Sequence, residues 1–173
     1  MNRIFLLDKS GSMAPRVDDT IGGFNSFVND QKEFGGTLSL YTFSDRLHCV
    51  YLNVPIDDVK LLTKKDYIPI GNTALYDAMG EILNKHDEGK FVILTDGEEN
   101  SSRKYTKAHV KDLIKRSKLE IIYAGADIED AAELDIQTTY HYDGHATPDM
   151  FRLLSQTVSP KPVDEEDLNI KDE

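Results

Sequence analysis

The chain has 173 residues, 39% apolar and 29% charged, with 31 acidic against 20 basic side chains and a formal net charge of −11. That length suits one domain with a substantial buried core, and the acidic balance disfavours nucleic acid and anionic membrane surfaces as partners. There is no apolar run long enough to span a membrane, and the single cysteine, Cys49, has no intrachain disulfide partner, which makes a reducing cytoplasm the expected compartment.

Apolar strand-like runs alternate with segments of helical period, which predicts an α/β fold with a mainly parallel sheet. The first strand spans roughly 2–8, and a strand starting that early leaves no room for a signal peptide in the sequence as given. A helix is expected from about Asp19, with Ile21, Phe24, Phe27 and Val28 on one face. Gly22-Gly23 inside it weakens the helix by roughly 1 kcal/mol per glycine; the pair either lets the helix approach the sheet closely or is simply tolerated. Thr37–Phe43 and Leu47–Val54 read as strands. Only Ser44-Asp45-Arg46 separates them, too short a link for a parallel crossover, so they are expected to form an antiparallel hairpin at one edge.

Residues 55–72 are loop-like with one helical turn. Gly71-Asn72-Thr73 then leads into a helix through Ala74, Leu75, Ala78, Met79, Ile82 and Leu83. Residues 90–95 are nearly all apolar, as in a central strand buried on both faces. A helix over about 106–117, a strand Glu120–Ala124, a short helix over about 128–134, a strand Thr138–Tyr142 and a helix over about 148–157 complete a domain of residues 1–158. Residues 159–173, rich in acids and with two prolines, read as a flexible acidic tail. A docking peptide anchored by Leu168 and Ile170 is the alternative.

Chemistry is concentrated where the first strand ends. Ile4-Phe5-Leu6-Leu7 runs without charge into Asp8-Lys9-Ser10-Gly11-Ser12, which places an acid and two hydroxyls at the carboxyl end of a buried strand. In open α/β sheets ligands collect beyond such strand ends, where the chain order reverses direction. A second apolar strand ends in Thr95-Asp96-Gly97. If the two strands are neighbours, Asp8 and Asp96 face each other, with Thr73 closing the site from the side. Such oxygens are hard ligands suited to Mg²⁺ or Mn²⁺. Hydroxyls carry no charge, so the metal stays able to attract an outside oxygen: a water, a substrate or a carboxylate of another protein.

This arrangement resembles the von Willebrand factor A (vWA) domain family and its metal-ion-dependent adhesion site (MIDAS). Asp8-Lys9-Ser10-Gly11-Ser12 matches the family's Asp-x-Ser-x-Ser element. Gly71-Asn72-Thr73-Ala74-Leu75 is similar to its threonine loop, with Asn72 where many members have a second glycine, and Leu94-Thr95-Asp96-Gly97 matches its last element. Tyr41-Thr42-Phe43-Ser44-Asp45 and Tyr123-Ala124-Gly125-Ala126 also look like family strands. Over about residues 2–157 the resemblance implies a Rossmann-like fold, a six-stranded sheet with one antiparallel edge strand flanked by helices. It implies metal ligands Asp8, Ser10, Ser12, Thr73 and Asp96. It also implies adhesion to a protein partner whose exposed Asp or Glu completes the metal's shell, in a stand-alone form like intracellular bacterial or viral members.

Plainer roles compete. Asp8, Ser10 and Ser12 can cap the following helix, Thr73 can N-cap its own, and Asp96 can be a turn residue. Glu98 and Glu99 read as a solvated rim, Asp77 as an acid that supports the ligands from behind or caps rather than ligates, and Asp45 as a hairpin-turn residue. Lys9 and Arg16 lie near the site and could steer a carboxylate, while His141, Asp143 and His145 suggest zinc only loosely. The rival function is a Mg²⁺-dependent phosphoryl-transfer enzyme with Asp8 as nucleophile. The general acid such enzymes need two residues on is Ser10 here, and there is neither a nucleophile elbow nor a phosphate loop. A structural assembly subunit with an incidental metal is the third reading. For a binding module, partner specificity is expected from loops 13–20, 44–47, 66–76 and 97–106.

Overall fold

The structure is a computed structural model describing residues 1–161, so nearly all of the expected acidic tail lies outside the described residues. Its strands are β1 (Asn2–Asp8), β2 (Thr37–Phe43), β3 (Leu47–Pro55), β4 (Glu88–Thr95), β5 (Lys118–Gly125) and β6 (Thr138–His141). Its α-helices are α1 (Val17–Gln31), α2 (Leu75–Lys85), α3 (Lys107–Arg116), α4 (Ile128–Glu133) and α5 (Thr147–Val158). The six strands form one sheet in the order β3-β2-β1-β4-β5-β6. All neighbours are parallel except β2 and β3, the expected edge hairpin.

Strand alternation divides the core in two. Phe5, Leu7, Val92, Leu94, Ile122 and Ala124 face α1 and α5, whereas Ile4, Leu6, Phe91, Ile93, Ile121 and Tyr123 face α2, α3 and α4. Strands β1 and β4 are therefore apolar on both faces, and that is why they read as unbroken apolar runs. Because β1 continues to β2 on one side and β4 to β5 on the other, the chain order reverses between β1 and β4. Their register pairs Leu7 with Leu94, which leaves Asp8 and Asp96 at the same end of the sheet. None of the helices among the described residues is long and apolar enough to cross a membrane.

Two local features differ from the expectations. A 3₁₀ segment, Gly11–Arg16, intervenes between β1 and α1, so α1 starts at Val17 rather than at about Asp19. Gly23 serves a helix–helix contact and not a helix–sheet one. A Cβ on Gly23 would lie 2.2 Å from the ring of Phe151 in α5. That ring cannot easily yield, being 1% exposed and stacked on Phe5 with centroids 5.9 Å apart. Gly22 has nothing within 4 Å of the same position.

The neighbouring glycines should therefore respond oppositely to alanine in a urea-denaturation series. Gly22→Ala is expected to stabilise the protein by up to about 1 kcal/mol through helix propensity. Gly23→Ala is expected to destabilise it by about 1–3 kcal/mol through overpacking against Phe151. Equal shifts would contradict the α1–α5 packing.

Candidate metal centre

At the switch point between β1 and β4 the candidate side chains converge. Asp8, the last residue of β1, is fully buried, and Ser10 is 2% exposed. The backbone N–H of Ser10 donates to Asp8 Oδ1 at 2.6 Å. The hydroxyls of Ser10 and Ser12 share a hydrogen bond of 3.1 Å, and Ser12 Oγ donates to Asp96 Oδ1 at 2.7 Å. Four of the five expected residues thus form one connected cluster. Thr73, 4% exposed, closes it from the side. Its Oγ1 lies 3.3 Å from where a Cβ on Gly97 would sit, so any larger residue at 97 would crowd that hydroxyl.

The capping roles weighed above are not the ones these side chains play. Ser10 occupies the N-cap of the 3₁₀ segment without making a side-chain cap bond. The N-cap of α2 is Ala74, not Thr73. Instead the backbone of Thr73 is clamped by Asn100: its N–H donates to Asn100 Oδ1 at 2.9 Å, and its carbonyl accepts from the Asn100 N–H at 3.0 Å.

Three further residues complete the site. The Thr95 hydroxyl donates to Asp8 Oδ2 at 2.6 Å, Tyr67 donates its hydroxyl to the Asp8 carbonyl, and Asn100 fixes Thr73. A hydroxyl closing an apolar strand one residue before Asp96 was a visible signal for Thr95. Tyr67 and Asn100 sit in loops whose paths no periodicity encodes.

Charge explains what the cluster can hold. Both oxygens of Asp8 accept from neutral donors, the Ser10 N–H and the Thr95 hydroxyl. Burial pushes the Asp8 carboxyl above the ordinary aspartate range. The hydrogen bonds from Thr95 and Ser10 oppose that push, and the charge of Asp96 adds to it. Arg16 answers only Asp96, at 3.3 Å, where the carboxylate is 3% exposed. Arg16 is held there by two carbonyls, with Nη1 donating to Ser12 O and Nε to Gly144 O, each at 2.7 Å. Leaving a buried carboxylate without an opposite charge costs several kcal/mol. Two carboxylates and three hydroxyls, with no sulfur or imidazole, are donors suited to a hard divalent cation, so the residues present fit a metal.

Other candidates separate from this centre. Glu99 is not a solvated rim residue: its Oε1 accepts from the N–H groups of Tyr76 at 3.4 Å and Ser102 at 3.1 Å, tying the loop after β4 to α2. Asp77 caps no helix: from inside α2 it holds the loop before α3, accepting the N–H groups of Arg103, Lys104 and Tyr105, while Thr106 is the N-cap of α3. Asp45 lies in the β2–β3 turn and accepts from the Asn72 N–H at 3.3 Å. His145 pairs with Asp143 at 2.9 Å on the surface. Among the described residues no group of three or more His, Cys, Asp or Glu is assembled around a metal position, which leaves zinc at 141–145 without support.

Known proteins bear on the fold. No family model matches the chain, and no curated protein sequence does. Solved structures do. VWA2, the ArnB paralog from Sulfolobus acidocaldarius, superposes with a TM-score of 0.69 at 18% identity, covering 92% of this chain and 45% of that one. Proximal thread matrix protein 1 of the mussel byssus, in a structure with a zinc-occupied MIDAS motif, gives 0.64 at 15%, covering 90% and 45%. The vWF domain of Mfa5, the type V pili tip protein of Porphyromonas gingivalis, gives 0.65 at 11%, covering 95% and 98%. The chain thus spans a little under half of the archaeal and mussel chains and nearly all of the pilus domain. The fold is that of a vWA domain.

The raised Asp8 carboxyl makes the folded, metal-free protein hold a proton that the unfolded chain releases. Metal-free stability should therefore be complete below the ordinary aspartate value and fall as pH rises through the raised one. Thermal melts in chelator across that window should show this loss, and Mg²⁺ should restore stability most at neutral pH. Asp8→Asn is expected to flatten the chelator profile; an unchanged slope in that variant would contradict the assignment.

Proposed function

We propose that this domain is a metal-dependent protein-binding module rather than an enzyme. Asp8, Ser10, Ser12, Thr73 and Asp96 would hold a Mg²⁺ or Mn²⁺ ion, and an exposed Asp or Glu of a partner protein would complete its coordination. The observation that carries the reading is the juxtaposition of two buried carboxylates, linked through Ser10 and Ser12, with one basic side chain, Arg16, paired to Asp96 alone. When bound, the metal supplies a positive centre that accepts an outside carboxylate.

The chain's own residues do the rest. Thr95 and the Ser10 N–H hold both oxygens of Asp8 in place, so the site needs little reorganisation on binding. Ser12 is exposed while Asp8 and Ser10 are buried, which gives the cluster one open side facing solvent. The phosphoryl-transfer reading is weakened by Ser10, which stands where such enzymes need a general acid.

A chain of net charge −11 does not forbid an acidic partner. Repulsion from distant charges is screened beyond about 8 Å at physiological salt, whereas a direct metal–oxygen contact is not. The vWA folds of the mussel byssus protein and the pilus tip protein give general support for a protein-contact role, with the metal named in the mussel structure's description being zinc.

Replacing Ser10 and Ser12 together by alanine removes two neutral ligands without adding bulk. Calorimetric titration with Mg²⁺ and Mn²⁺ should then show binding weakened by at least tenfold, with circular dichroism unchanged. Partner capture from extract should disappear both in that variant and in chelator. Capture indifferent to chelator would favour the assembly-subunit reading. Turnover of a generic phosphate ester that is lost in Asp8→Asn would favour the enzyme.

A further inference from the structure

Beside the metal cluster lies a cleft of about 620 Å³ whose walls include Arg46, Arg103, Lys104, Asp77, Glu81 and Ser101. Asn72 and Ala74, the residues on either side of Thr73, form part of the same wall, so the cleft lies beside the loop that carries Thr73. Its acidic groups are already engaged. Asp77 accepts three backbone N–H groups at 2.8–2.9 Å, Glu81 pairs with Lys104 at 3.6 Å, and Asp45 accepts from the Asn72 N–H. The guanidinium groups of Arg46 and Arg103, both exposed, enter no hydrogen bond or ion pair among the described residues; only their backbone groups are bonded. The Ser101 hydroxyl in the same wall is buried and has no hydrogen-bond partner. Buried hydroxyls almost always have one.

Two uncommitted guanidiniums and an orphan donor in one cleft of a strongly acidic chain are suited to an anion, and the planar fork of arginine matches a carboxylate. We infer that the cleft takes a second carboxylate from the same partner segment whose first carboxylate goes to the metal. The preferred partner is therefore a segment with two acidic side chains at a fixed spacing. This inference rests on the metal-dependent reading above. The guanidinium fork fits carboxylate and phosphate alike; the carboxylate is taken because the first contact, at the metal, is itself a carboxylate and one acidic segment can supply both. Once the first acid is bound, the second contact is intramolecular and gains from a high effective concentration.

Fluorescence anisotropy with labelled Gly-Ser peptides tests this in Mg²⁺. One peptide carries a single aspartate, and a series adds a glutamate at increasing separation. At the matching spacing the two-acid peptide should bind about tenfold tighter than the one-acid peptide. Arg46→Gln combined with Arg103→Gln should bring it down to the one-acid affinity while leaving one-acid binding and the melting temperature unchanged. Equal affinity at every spacing, including no binding of either peptide, overturns the inference. So does a gain that survives the double arginine variant, or a phosphoserine peptide bound more tightly than its glutamate counterpart. Arginine-dependent capture of the two-acid peptide that persists in chelator, with the one-acid peptide never bound, would instead remove the metal reading and leave the cleft standing.

Discussion

The parallel pairing of β1 with β4 sets the terms for everything at the functional end of this molecule. Each strand is apolar on both faces, so the pair sits in the middle of the sheet, where the core demands it. Each strand run also ends in an acid, and the register that pairs Leu7 with Leu94 brings those acids together at the carboxyl end of the sheet. Packing thereby imposes an electrostatic problem. Asp8 is fully buried near a second carboxylate, and its oxygens meet only neutral donors. The hydrophobic gain from burying two central strands favours this arrangement, and a divalent cation held as proposed would resolve it.

The surrounding residues can be understood as responses to that problem. Thr95 and the Ser10 amide fix Asp8, Asn100 fixes Thr73, and Tyr67 donates to the Asp8 carbonyl. Arg16 takes one oxygen of Asp96 while the other accepts from Ser12. Its place depends on Gly144, whose backbone has a φ of +95° and where a Cβ would fall 1.8 Å from Arg16 Nε. A glycine is therefore needed at 144 both for its conformation and for the space. The groups that hold the cluster come from the end of β4 and from loops after β1, β4 and β6 and before α2, so the sheet positions the site and the loops shape its rim.

Much of this was legible in the sequence because it depends on short-range patterns. An uncharged run ending in Asp8, a three-residue link between Phe43 and Leu47, and the apolar stretch before Asp96 carry the strands, the hairpin and the two acids. Element ends moved by one or two residues, as at β5, which runs from Lys118 to Gly125. What escaped was long-range. The sequence does not show that Gly23 would meet Phe151, which lies far along the chain in α5, so the glycine pair read as a contact with the sheet or as simply tolerated. Arg16 read as a residue that could steer a carboxylate from outside. Its engagement with Asp96 and Gly144 depends on how the 3₁₀ turn and the β6–α5 loop meet. Glu99 read as solvated because its partners, the amides of Tyr76 and Ser102, are brought near only by the fold.

A crystal of the protein soaked in Mn²⁺ and measured for anomalous scattering tests the central claim most directly. The account predicts one strong peak within coordinating distance of Asp8 and the Ser10 and Ser12 hydroxyls. A map with no peak there, or with manganese bound only at other acidic residues, would contradict it.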